Sequence, residues 1–244
     1  MAIKNRLYAF LTHLLLSSLV AALTIILVFF IWYPSPLDKA VGVTEIFLIV
    51  LGVDIIIGPV MTFVVFKPDK PGLVLDLFII VILQFSALAY GISTVFIGRP
   101  VFIVFNQDRF DLTRGIDVDE TSLNIAEQAN NPSAKISWLK SRWVGAVASK
   151  DKKRAEEILF SAIDGGPDWP QLPELYVPLE QVKEQMLKRA QPLALLKERD
   201  KQGLLANEPD TLKWLPLHSK ARNQTVLIDG KSAEIIKVVD INPW

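Results

Sequence analysis

The chain has 244 residues, 51% of them hydrophobic, with 26 basic and 26 acidic side chains, so its overall charge indicates neither nucleic acid nor another polyanion as a partner. It has no cysteine, which excludes disulfides, thiolate chemistry and iron–sulfur ligation, and its two histidines, His13 and His218, cannot build a multi-histidine metal site. There is no glycine-rich phosphate loop, and no cofactor is expected.

Nearly all of the apolar excess lies before about residue 105. Three runs, at about 7–32, 45–66 and 73–97, each exceed the roughly 20 residues a helix needs to cross a bilayer. They predict a domain of three transmembrane helices over residues 1–98. The first run is too long for the apolar part of a secretory leader, and no A-x-A site follows it, so it reads as a span.

Lys4 and Arg6 precede the first span, and Lys67 and Lys70 fill the turn between the second and third, whereas the 33–44 loop holds only Lys39 beside Asp38. Basic residues stay in the cytoplasm. The N-terminus and the 67–72 turn are therefore expected inside, and the C-terminal half outside.

The second span contains "LGVDIIIGPVMTFVVF", residues 51–66, with a carboxylate at Asp54 and a helix break at Gly58 and Pro59. An ionisable group near the bilayer centre costs about 2.5–3.5 kcal/mol, so such groups turn inward. At about 1.5 Å rise per residue, Asp54, Ser17, Ser18, Gln84 and Ser86 all lie roughly 15–20 Å from the inner ends of their helices. They predict one polar layer crossing the bundle. Gly52 and Gly58 would let helices approach closely, and Pro59 would free the Ile55 carbonyl. His13, roughly 9 Å in, and Asp76, roughly 5 Å in, form a shallower level, either pairing with each other or meeting a partner's helix.

Residues 99–244 read as a water-facing domain. Val101–Phe105 and Phe110–Thr113 are β-rich and flank a turn-prone "NQD". "ETSLNIAEQA", capped by Thr121 or Ser122, and "KDKKRAEEILFSAIDGG", with Ala155, Ile158, Leu159 and Ala162 on one face, predict helices. "DWPQLPELYVP" reads as a loop, and "PLEQVKEQMLKRA" and "PLALLKERDKQG" as helices with proline in the first turn. "WLPLHSK" reads as a strand, and "TVLIDGKSAEIIKVVDI" as a hairpin turning at Asp229-Gly230. The fold class expected is thus a three-helix membrane bundle followed by a small α+β domain with a largely antiparallel sheet, helices covering one side. His218 and Ser219 with a carboxylate do not make a triad without geometry to support it, and Trp138 and Trp143 read as packing anchors. No catalytic residue is assigned.

"WYPSPL", "GVDIIIGPVMTFVVFKPDKPG", "DLFIIVILQFSALAYGISTVFIGRPVFIVFNQDRF" and the terminal "VVDINPW" together resemble the TfpX/TfpZ family of type IV pilin accessory proteins. The match is dense in the membrane half. Asp54, Gly58, Pro59, Arg99, Pro100, Asp108 and Arg109 fall on its recurring positions. The resemblance implies a bacterial inner-membrane protein with a periplasmic C-terminal domain. It would assist the stability, maturation or incorporation of type IV pilin, beside other pilus assembly proteins, and would not be an enzyme. On this reading His13 and Asp76 contact the pilin helix and Asp54 serves the bundle. The rival reading is an enzyme, or a subunit of one, that modifies pilin, for example by glycosylation.

Overall fold

The computed structural model describes residues 2–244. Three helices are long and apolar enough to cross a membrane: α1 (Ile3–Trp32), α3 (Val43–Val65) and α4 (Leu73–Ile97). A short α2 (Leu37–Val41) lies between the first two. The chain divides into two compact units, Met1–Pro34 with Gly42–Ile97, and Ser35–Val41 with Gly98–Trp244. The segment carrying α2 therefore belongs with the C-terminal unit, although long helices flank it on both sides.

In the first unit α1 and α4 both pack on α3. Only 6% of α4's most apolar window is buried, so most of its surface faces outward. Small and polar residues take several buried positions at helical spacing, Ser17, Ala21 and Thr24 on α1, Asp54, Gly58 and Thr62 on α3 and Gly91 on α4, beside larger apolar ones such as Phe47, Leu51 and Leu88. Small residues let helix backbones approach where lipid offers no hydrophobic drive to association. A β-carbon on Gly91 would come within 2.6 Å of the Val50 side chain, whereas one on Gly52 would meet nothing within 4 Å. Gly91, rather than the expected Gly52, is thus the second close-approach site. At the other end of α1, the Tyr33 hydroxyl donates to the Val95 carbonyl at 2.7 Å.

The second unit is an α+β domain. Its strands are β1 (Pro100–Asn106), β2 (Arg109–Arg114), β3 (Arg142–Ala146), β4 (Tyr176–Pro178), β5 (Gln191–Pro192), β6 (Leu212–His218), β7 (Gln224–Asp229) and β8 (Ile235–Val239). They form one sheet in the order β4-β3-β1-β2-β6-β7-β8, with β5 beside β6. Pairing is antiparallel except for β1 with β3 and β2 with β6. Helices α5 (Glu120–Gln128), α6 (Lys152–Ile163), α7 (Lys183–Arg189) and α8 (Leu193–Lys197) complete it. Every residue of β1 is buried, as expected of a strand inside a sheet that is covered on both faces. Its core gathers Ile103, Phe105, Phe110, Met186, Leu215 and Val226, and Leu37 of α2 joins the same cluster. Gln224 Nε2 donates to the Pro36 carbonyl at 2.6 Å, and Lys39 pairs with Asp240 at 3.0 Å.

Several local expectations change. The cap of α5 is Asp119, whose carboxylate accepts from Ser122 N at 2.7 Å, because a cap precedes the first helical residue and Thr121 is already inside. Leu159 of α6 is 59% exposed, and only Ile158 of its apolar face is buried. The last hairpin does not turn in two residues. Asp229 accepts from the amides of Lys231 and Ser232 and so caps a longer loop, which rejoins the ladder at Ile235. The strands β3 and β4 carry no clear alternation, and β4 forms inside a segment expected to be loop.

Candidate functional site

The polar residues of the first unit converge on Gln84. A β-carbon on Gly58 would lie 2.1 Å from Gln84 Oε1, so glycine is what admits this side chain to the face of α3. Gln84 Nε2 donates to the Asp54 main-chain carbonyl at 2.7 Å and to Ser17 Oγ at 3.0 Å. Residues 53–57 form a wider, π-type turn, in which each carbonyl looks five residues ahead for its donor. Five residues beyond Asp54 is Pro59, which has no N–H. The carbonyl that Gln84 meets is therefore Asp54's rather than Ile55's, as the change of helical register dictates.

A carbonyl can only accept, so the Gln84 amide nitrogen must face Asp54 and its oxygen must face His13. His13 Nε2 accordingly donates to Gln84 Oε1, at 2.9 Å. In the neutral ring Nδ1 is then an acceptor, and the Thr62 hydroxyl donates to it at 2.6 Å. One orientation satisfies the whole chain from Thr62 through His13 and Gln84 to Ser17 and Asp54.

Of the expected layer, Asp54, Ser17 and Gln84 come together, whereas Ser18 and Ser86 are exposed on the outer faces of their helices. His13 and Asp76 do not pair. His13 has both ring nitrogens engaged within this network, and Asp76 forms an ion pair with Lys70 of the intervening turn. Thr62 and Gly91 were missed. The four-residue spacing Asp54, Gly58, Thr62 was the available signal, since it puts the three on one helix face.

Beside this network lies a cavity of about 680 Å³. One wall is the first half of α1, including Tyr8, Leu16 and Val20, and the other is α4, including Leu77, Val81 and Phe85. Its floor holds His13, Ser17, Asp54, Thr62 and Gln84. The arrangement is an apolar-walled groove with a polar base.

A second, smaller cleft of about 250 Å³ lies in the C-terminal unit where β2 and β6 run parallel. Arg109 pairs with the buried Asp111 at 3.2 Å, and Asp111 stands opposite His218 in the ladder. Burial pushes the Asp111 carboxyl up, and Arg109 only partly offsets this. Burial also opposes ionisation of Asp117, but hydrogen bonds from Arg114 and Lys220 prevail and hold it down at about 2. His218 Nδ1 meets Asn223 Oδ1 at 3.0 Å. The Ser219 hydroxyl donates to the Arg222 carbonyl at 2.5 Å rather than to the His218 ring. Of the motif residues leading into this unit, Asp108 is exposed in the β1–β2 turn, while Arg99 and Pro100 are buried at the other end of β1. Among the described residues no cluster of His, Cys, Asp or Glu has the makings of a metal site.

Fold and groove together define a protein with three membrane-length helices, an apolar-walled groove among them, and an α+β domain. The family described as fimbrial assembly protein FimB matches residues 1–42. The fimbrial assembly protein of serogroup I from Dichelobacter nodosus is 33% identical over 95% of this chain and 93% of its own length. That of serogroup E1 is 29% identical over the same shares, and that of serogroups C1 and C2 is 40% identical over 39% of this chain. The chain belongs to the fimbrial assembly protein family, and its role lies in fimbrial biogenesis. No solved structure matches it.

Proposed function

We propose that the protein acts in a bacterial inner membrane as a TfpX/TfpZ-type accessory of type IV pilus assembly, holding the pilin subunit while it waits to be incorporated. The N-terminus is cytoplasmic and the C-terminal domain periplasmic, in keeping with basic residues flanking the first span and filling the 67–72 turn. One observation carries the reading: α1 and α4 both lean on α3 and leave between them a groove of about 680 Å³. A single apolar helix is the element that suits such a groove, and van der Waals packing with interhelical hydrogen bonds is what drives helix association in lipid. His13 takes part from the polar floor of the groove. Asp76 lies outside it among the described residues and steadies the turn through Lys70.

Photocrosslinking amino acids at Leu16 and Val81, which line the groove, are expected to capture pilin in cells. The same probe at Leu48 or Ile56, exposed on α3 and outside the groove, is expected to capture none. Normal abundance with no pilin adduct at 16 or 81 would remove the docking claim. A change of pilin mass caused by the purified protein would favour the pilin-modifying enzyme instead.

A further inference from the structure

We infer that the C-terminal domain carries its own lipid-facing edge, formed by Ile116, Trp138 and Leu139, and that Arg99 and Pro100 assemble it. This rests on the long helices crossing a bilayer, and goes beyond pilin docking.

The α4 helix ends at Ile97, and Arg99 follows two residues later. At no more than about 3.6 Å per residue, a group bonded to Arg99 or Pro100 stays close to where the chain leaves the span. Three bonds collect two loops at this point. The Arg99 carbonyl accepts from Gly115 N at 2.9 Å, and Arg99 Nη2 donates to the Ser137 carbonyl at 3.2 Å. Ser141 Oγ donates to the Pro100 carbonyl at 2.9 Å. The residues next to these anchors are large, apolar and turned outward: Ile116 is 63% exposed, Trp138 73% and Leu139 60%. Lys135 and Lys140 on the same loop are exposed too.

Tryptophan with aliphatic neighbours and flanking lysines is the composition that favours a bilayer interface, where the ring is half-immersed and the ammonium groups meet anionic headgroups. The occupant of this edge is thus the outer leaflet itself. Arg99, buried inside the domain, acts by positioning the two loops.

The chain has no native cysteine, so single labels are unambiguous. Ile116→Cys, Leu139→Cys, Lys231→Cys and Tyr90→Cys are each made in the full chain, spin-labelled, and placed in nanodiscs of phosphatidylethanolamine and phosphatidylglycerol. Collisions with dissolved nickel chelate and with oxygen are measured. Positions 116 and 139 should resemble position 90 within α4, with oxygen favoured and nickel collisions several-fold below those at position 231. Nickel access at 116 and 139 equal to that at 231, with position 90 shielded, overturns the edge while leaving the spans intact. Nickel access at position 90 overturns both. Shielding at position 231 as well overturns the assignment of this edge, because the domain would then lie against lipid by another face.

Discussion

The helical unit and the α+β unit turn opposite kinds of side chain outward. Residues of α1, α3 and α4 turn Leu15, Phe30, Val74 and Phe85 outward and enclose Ser17, Asp54 and Thr62. The sheet encloses Phe105, Phe110 and Leu215 and, with Arg99 and Asp111 as buried exceptions, turns charges such as Lys213 and Lys237 towards the surface. The solvent decides which is favourable. In water the apolar area removed is the driving term, whereas in lipid it is nearly neutral, and close packing with satisfied hydrogen bonds holds helices together. The first unit is therefore vulnerable at a glycine or an amide, the second at a large apolar side chain.

The strongest way to break this contrast is Gly58→Val. It drives a side chain into the Gln84 amide, which must swing away from His13, Ser17 and Asp54, and should diminish the monodisperse peak on size exclusion in detergent. Gly52→Ala, with open space around it, should leave that peak unchanged. Phe110→Ala removes a ring packed edge-on against Phe105 and Trp143, and should cost about 3–5 kcal/mol in chemical denaturation followed by tryptophan fluorescence. Gln84→Leu is nearly as large in volume but leaves polar groups of His13, Ser17 and Asp54 without their partner, at about 1–3 kcal/mol for each one that stays buried and unpaired. It should lower the melting temperature in detergent. Were Gln84→Leu neutral while Phe110→Ala destabilised, the polar base of the groove would not be what joins α1 to α4.

A smaller effect comes from pH. The Asp117 carboxyl lies at about 2, below its ordinary 3.8, so its contribution is present above about pH 4 and is lost as the pH falls towards 2. Lys220 is well exposed, and screening leaves about 1–2 kcal/mol of the contribution. Asp117→Asn should remove that part of the acid dependence, seen as a shallower fall of the melting temperature over this window. Smallest is Lys39→Ala, which breaks an ion pair with one half-exposed partner, leaves Asp240 to Arg222, and should change stability by less than about 1 kcal/mol.

What the sequence determined by itself is whatever local chemistry enforces. Three apolar runs must be helices because lipid leaves no other partner for their backbone groups, and β1 and β2 follow from β-rich runs around a short turn. Depth arithmetic brought Asp54, Ser17 and Gln84 to one level because rise per residue is fixed. Depth says nothing about rotation around the axis, which is why Ser18 and Ser86, at the same level, fall outside the network. Tertiary structure alone decided that the helical register widens before Pro59, moving the free carbonyl from Ile55 to Asp54. It also decided that His13 turns to Thr62 and Gln84 rather than Asp76, and that residues 35–41 fold with the distant sheet. Those outcomes depend on which groups meet in space, and a donor chooses among acceptors by geometry that no local pattern encodes.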